Sequence, residues 1–293
     1  MAMTLAFLFP GQGRTADRPS VDTPLSETLF HLAESRGLAL RQWMSDGDVE
    51  RLTSTDASQP ALLIDSLCRH ESLRSQGLLP AYVAGHSLGE YAALVAADVL
   101  SAEDAVRLII ERGRLMGGVQ GAMTAIVKLD IDTIAGLCQL HGPAVVIANH
   151  NAPGQVVVSG AADAVARVAD AAANAGGRAI PLQVSGPFHS PLMLPAQEAL
   201  LPFINETPFA APSIPVVSGV SGEEIRTADR LRDLLQVQMT SSVRWVDVVH
   251  RLEEAGVTHA IEVGAGRVLS NLGKRITERI CFMTYEEALD GGV

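Results

Sequence analysis

AYVAGHSLGEYAALVAADVL, residues 81–100, carries two periodicities that meet at one serine. Up to Gly85 it reads as a short apolar strand. After Ser87 it is rich in Ala, Leu and Val and forms a helix. Between the two lies Gly85-His86-Ser87-Leu88-Gly89, a G-x-S-x-G, the pattern of a sharp turn that holds a serine oxygen above a sheet. Glycine suits positions 85 and 89 because a Cβ at either would run into neighbouring backbone. A helix starting here aims unpaired N–H groups at charge developing near Ser87. The same five letters also occur as a tight turn with an incidental serine, so the surroundings have to decide.

Outward from this stretch, strands and helices alternate. Thr4 to Phe9 is a continuous apolar run ending in Pro-Gly-Gln-Gly, a buried strand entering a glycine turn. Residues 14–24, polar and carrying Pro19 and Pro24, read as a loop. Leu25–Leu38 and Ser58–Gln76 have helical periodicity, and Ser101–Met116 is a helix with Ser101 as its cap and Asp104 three residues on. Towards the C-terminus, Ser213–Ser218 and Ala260–Val263 read as strands. Ala228–Leu235, Val246–Ala255 and Val268–Ile276 read as helices. This alternation predicts a mostly parallel sheet with helices on both faces.

The middle has a different rhythm. Strands are expected over Met123–Leu129, Ala144–Ala148, Gln155–Ser159 and Ala179–Val184, with helices over Ile131–Leu140 and Ala162–Ala175. The order β-α-β-β-α-β is ferredoxin-like. NHNAPG reads as the turn between the second and third strands. The fold expected is therefore α/β: a large part with a mostly parallel sheet over residues 1–121 and 187–293, interrupted by a ferredoxin-like small subdomain over 122–186.

Composition narrows the function. The 293 residues carry 22 Lys+Arg against 33 Asp+Glu, a net charge of −11, which argues against nucleic acid or an anionic membrane as partner. No run of 18 apolar residues is free of charge, so no membrane span is expected. The apolar start lacks a basic leader and a cleavage site, and reads as a strand rather than a signal peptide. Cys68, Cys138 and Cys281 are isolated, with no metal-binding spacing, as in a reducing cytoplasm. They read as small core residues.

A nucleophilic serine needs a base, and there are eight histidines. His86 adjoins Ser87 in the turn and points away from its oxygen. His31, His70 and His250 fall in amphipathic helices, where solvated or capping roles are usual. His141 and His150 lie in small-subdomain loops, and His259 precedes a strand. His189, in the Gly/Pro-punctuated segment VSGPFHSPLM, is the candidate that a loop can hold rigidly towards a cleft.

LFPGQG (8–13), SQPALL (58–63), GHSLGEY (85–91), ERGRLM (111–116), QGAM (120–123), ANHNAPGQVVVSG (148–160), FHSPLM (188–193), VRW (243–245) and EVGAG (262–266) follow in this order. Together they resemble the malonyl-CoA:acyl-carrier-protein transacylases of fatty-acid synthesis and the acyltransferases of polyketide synthesis, from about Leu5 to Phe282. The resemblance implies Ser87 as the acylated nucleophile and His189 as its base. The histidine would be oriented by backbone carbonyls, placed here around Arg244. Gln12 and Leu88 would supply the oxyanion N–H groups. Arg112 would pair with the malonyl carboxylate as a bidentate fork, Gln59 would line the same pocket, and Phe188 would fill the space an α-methyl group needs. One departure stands out. After PGQG the family continues with a serine or alanine, a glutamine and a Met-Gly pair, whereas here Arg14-Thr15-Ala16-Asp17 follows.

What the resemblance implies is an α/β-hydrolase-like large subdomain with a ferredoxin-like small one, in a cytoplasmic, monomeric enzyme. It would carry malonyl from malonyl-CoA to the phosphopantetheine thiol of an acyl carrier protein, with no bound cofactor and no metal. Three alternatives share the motifs: a hydrolase that clears acyl groups from carrier proteins, a non-catalytic carrier-docking subunit, and the malonyl-transfer subunit of a malonate decarboxylase.

Overall fold

The computed structural model of the chain describes residues 3–12, 23–184 and 186–292. Arg14-Thr15-Ala16-Asp17 and the expected loop as far as Asp22 lie outside the described residues.

Strand β1 (Leu5–Phe9) is buried at all five positions. It lies between β2 (Tyr82–Gly85) and β9 (His259–Glu262), both parallel to it. A strand covered on both faces needs an unbroken apolar run, which LAFLF supplies. The sheet continues through β10 (Cys281–Thr284) on one side. On the other lie β7 (Val216–Val217) and the antiparallel edge strand β8 (Glu224–Ile225), giving the order β10-β9-β1-β2-β7-β8.

The helices α1 (Pro24–Ser35), α2 (Leu40–Asp46), α3 (Val49–Thr53), α4 (Thr55–Ser75), α5 (Gly89–Ala96) and α6 (Ala102–Gly117) share one core with the sheet. Ser101 caps α6, its Oγ accepting from the Asp104 N–H at 3.0 Å. On α6, Gly113 lets the helix close on α4: a Cβ there would sit 2.9 Å from the Thr55 carbonyl oxygen. That approach brings Arg112, one residue earlier, beside Gln59 of α4.

The second sheet is antiparallel, in the order β4-β5-β3-β6. Its strands are β3 (Ala122–Val127), β4 (Val145–Ala152), β5 (Gln155–Gly160) and β6 (Arg178–Pro181). With α7 (Ile131–Leu140) and α8 (Ala162–Asn174) they form the expected βαββαβ unit around its own apolar cluster. One local expectation is corrected. NHNAPG is not a six-residue turn, because β4 runs on to Ala152 through two register shifts. The bulges let the strand pair with β5 while Asn149 and Asn151 reach the neighbouring cleft.

The remaining helices are α9 (Leu194–Glu206), α10 (Ala228–Val237), α11 (Trp245–Glu254), α12 (Val268–Ile276) and the short α13 (Tyr285–Glu287). Helix α9 is not among the expected elements; Pro195 sits in its first turn, where proline is tolerated, but Pro202 lies inside, which is unfavourable to a helical reading. No described helix is long and apolar enough to cross a membrane.

Candidate active site

The turn after β2 is tight enough to exclude any side chain at its glycines. A Cβ on Gly85 would lie 2.1 Å from the Glu90 nitrogen, and one on Gly89 2.0 Å from the Phe9 carbonyl oxygen. Ser87, between them, has φ 52°. His189 has φ 59°. Among the described non-glycine residues only Asp98 and Lys128 share this left-handed region. Strain of this kind persists where the surroundings hold it, often at functional sites.

The two strained residues meet: Ser87 Oγ lies 2.7 Å from His189 Nε2. The other ring nitrogen, Nδ1, faces the Gln238 carbonyl oxygen at 3.1 Å and the Ser241 carbonyl oxygen at 2.9 Å. Two acceptors at Nδ1 put the proton there and leave Nε2 as the acceptor for the serine hydroxyl. Burial drives the His189 pKa down to about 3, helped by the positive charge of Arg112 and by His86.

Here one expectation is corrected. The orienting carbonyls belong to Gln238 and Ser241, in the turn that follows α10, not to Arg244. Arg244 precedes α11; its N–H donates to the Gly219 carbonyl and its side chain binds Asp247 and the Ser221 carbonyl. It is held outward by partners of its own.

Arg112 is 1% exposed, not the solvated helix arginine its composition suggests. Nη1 donates to Gln59 Oε1 at 2.7 Å, and Nη2 lies 3.2 Å from both Ser87 Oγ and Gln238 Oε1. Its Nε has no partner, and Tyr91 lies under the guanidinium at 5.7 Å. Burial lowers its pKa, yet a guanidinium keeps its charge in proteins. Gln59, fully buried, is fixed further by a contact of its amide nitrogen with the Met116 sulfur at 3.4 Å.

Gln12, Leu88 and Phe188 all line the cleft above Ser87. The Gln12 amide nitrogen donates to Ser58 Oγ at 2.7 Å, which pins the end of β1's glycine turn onto α4. The cleft encloses about 280 Å³ and is mostly apolar, with walls from Met123 and Val157 of the second sheet and Leu269 and Leu272 of α12. A few convergent polar groups in an apolar cleft are the usual make-up of a small-molecule site. His86 points away from the serine oxygen, as expected, and meets Asn151 Oδ1 of β4 at 2.9 Å.

Two site residues escaped the sequence reading. Gln238 touches Arg112, Ser87 and His189. Glu90, in the first turn of α5, is 3% exposed beneath them. Glu90 falls inside GHSLGEY, quoted above without a role for this residue, and for Gln238 the only signal was a polar letter in a segment that folds inward. His70 is a further correction: it is buried, not solvated, and its pKa falls to about 4.

Comparison with known proteins agrees with this geometry. The model of the acyl transferase domain family matches residues 25–279. The malonyl CoA-acyl carrier protein transacylase of Bacillus subtilis (strain 168) is 39% identical over 289 residues, 94% of this chain and 91% of its own. That of Escherichia coli (strain K12) is 40% identical over 295 residues, 96% of each. Among solved structures, the malonyl-CoA:acyl carrier protein transacylase of Xanthomonas oryzae pv. oryzae KACC10331 matches with a TM-score of 0.92 at 36% identity, over 99% of this chain and 98% of that one. A malonyl-transacylase solved in complex with its holo type II PKS acyl-carrier protein matches with a TM-score of 0.91 at 36% identity, over 98% and 99%. With a family model over most of its length and relatives of this identity end to end, the chain belongs to the malonyl-CoA:acyl-carrier-protein transacylase family of acyl transferases.

Proposed function

We propose that the protein moves a malonyl group from CoA to the phosphopantetheine thiol of an acyl carrier protein through an ester on Ser87. The observation that carries this reading is Arg112, a buried cation with Nη2 3.2 Å from the serine oxygen. It stands where the free carboxylate of a short dicarboxylic acyl group would lie. An enzyme acting on neutral acyl chains has no use for it.

The steps follow from the geometry. Ser87 Oγ attacks the thioester carbon and its proton passes to His189 Nε2. The imidazolium that forms is held by the Gln238 and Ser241 carbonyls at Nδ1. The oxyanion is received by the N–H groups of Gln12 and Leu88, each such donor worth about 3 kcal/mol. The N–H groups of Gly89, Glu90 and Tyr91 already donate to the turn carbonyls of His86, Ser87 and Leu88, which leaves the Leu88 N–H for an acceptor in the cleft. As the carbonyl re-forms, the C–S bond breaks and the CoA sulfur takes the proton from His189. A carrier thiol then gives its proton to His189 and attacks the ester, and Ser87 recovers its hydroxyl. The scheme needs no resident cofactor or metal. Phe188 limits the room beside the acyl α-carbon. The small subdomain, taken as residues 122–186, closes the cleft over the ester and keeps water from it.

The test is product analysis with malonyl-CoA and a holo carrier protein. Malonyl-carrier is the expected main product. Free malonate as the main product would replace transfer by hydrolysis.

The depressed His189 pKa gives a pH prediction. The histidine stays neutral, and so able to accept a proton, far below its ordinary value of about 6.5. Self-acylation kcat/KM for malonyl-CoA should therefore hold nearly level from pH 7 to pH 5. An unshifted histidine would lose about 30-fold over that span. Stability moves the other way. His70 and His189 bind protons in the unfolded chain below about pH 6.5 but not in the folded one, so stability falls with acidity through that window. The rates are read where circular dichroism shows the chain folded. A 30-fold fall there would mean that His189 is not the base or is not shielded.

A further inference from the structure

Beneath the serine lies a buried carboxylate that takes no part in the scheme above. Glu90 Oε1 accepts from Ser218 Oγ at 2.8 Å, and Oε2 accepts from Gln238 Nε2 at 2.6 Å. The Gly219 backbone donates to the same carboxylate. Ser218 Oγ in turn accepts from the Val220 N–H at 3.2 Å. The amide nitrogen of Gln238 is the atom beside Glu90 Oε2, so Glu90 presents no proton to Gln238. Burial lifts its pKa, while these donors and the charge of Arg112 oppose the rise.

This settles which way the Gln238 amide faces. Its nitrogen has two acceptors, Glu90 Oε2 at 2.6 Å and the Ser87 carbonyl oxygen at 3.0 Å. Its oxygen is left facing Arg112 Nη2 at 3.2 Å. Were the amide turned over, its oxygen would meet two acceptors and its NH₂ group would meet a guanidinium. The same residue's carbonyl accepts from His189 Nδ1. One residue, its side chain fixed by Glu90, therefore touches the base through its main-chain carbonyl and the cation through its amide oxygen, while its amide nitrogen holds the backbone of the nucleophile.

We propose that Glu90 is a positioning residue for malonyl selectivity: through the Gln238 amide it holds the Arg112 guanidinium at Ser87, ready for an acyl carboxylate. Three causes of selectivity join here. Gln59 and the Gln238 oxygen fix the fork on one edge. Nη2 also faces the serine oxygen, beside which the acyl carboxylate arrives. Glu90 lies one amide away, where it holds the fork without occupying it. The inference rests on the proposed function.

The test is Glu90→Leu, a change of similar volume that removes the acceptor on which the Gln238 amide nitrogen rests. The Gln238 amide then loses its fixed orientation, and Arg112 loses its hold on one edge. Single-turnover acylation of Ser87 is measured by intact mass with malonyl-CoA and with acetyl-CoA. The expected result is a malonyl-to-acetyl ratio at least about tenfold below wild type, the usual worth of a hydrogen bond to a charged group, with the loss in KM for malonyl-CoA greater than that in kcat. Ser218→Ala, which removes one donor and keeps the carboxyl group, should shift the ratio the same way by a smaller factor, and serves if Glu90→Leu does not fold. A ratio within twofold of wild type in a folded variant, or equal losses with both substrates, overturns the inference. Wild-type protein that takes no malonyl at all overturns the proposed function instead.

Discussion

Ser87→Ala should gain no malonyl mass from malonyl-CoA, with acylation at background and the melting temperature little changed. The hydroxyl removed is the one whose oxygen lies 2.7 Å from a neutral, oriented imidazole nitrogen, and a serine is reactive only beside such a base. None of the three cysteines stands ready to replace it. Cys68 is buried in the core, and Cys138 is buried with its thiol pushed up to about 11. Cys281 is exposed but opens β10, in register with His259 and Leu5 at the start of the parallel strands. Ser87 follows their other end, beyond Gly85. Stoichiometric malonylation of the variant, located by peptide mapping at any residue, would remove Ser87 from the mechanism.

How much of this was legible in the sequence depends on how local each signal is. The turn at Ser87 could be read because its constraint lies within five residues: two glycines, a strand before and a helix after. The βαββαβ unit could be read because its periods change in the right order. Strand β10 and helix α9 could not, the first because four residues give no period and the second because Pro202 inside it masks one. Arg112 looked like any helix arginine until the motif around it was matched, since burial depends on Gly113 closing α6 on α4. The error at Arg244 has a different origin. His189 is oriented by main-chain oxygens, and a carbonyl leaves no trace in residue type. Only the path of the chain after α10 places Gln238 and Ser241 at Nδ1. Glu90 was hidden in the opposite way, as an ordinary first-turn acid on a helix, when its side chain in fact runs under the site.

Arg112→Ala should lower malonyl acylation by roughly 10²–10³-fold while acetyl acylation holds or rises, and both parts have a physical cause. The malonyl carboxylate would enter a cleft that is mostly apolar and find no cation. A buried charge that loses its partner costs about 3–5 kcal/mol, and each 1.4 kcal/mol is about tenfold in rate or affinity. Acetyl has no charge to strand. For acetyl the wild-type arginine is a hindrance, because after burial it is the largest influence holding the His189 pKa down. When malonyl binds, its carboxylate cancels that influence and the base strengthens as the substrate arrives. When acetyl binds, the influence persists. Removing the guanidinium lets His189 rise towards its ordinary value for either substrate, and also frees Ser87 Oγ from the Nη2 contact at 3.2 Å. Arg112→Lys separates charge from shape. A lysine keeps the cation but cannot span Gln59 and Gln238 as a planar fork, so it should fall between wild type and alanine for malonyl. Single-turnover acylation with the two CoA esters measures all of these. If the malonyl-to-acetyl ratio is the same in Arg112→Ala as in wild type, the cation does not read the carboxylate, and the choice of acyl group has to come from the apolar walls around Phe188.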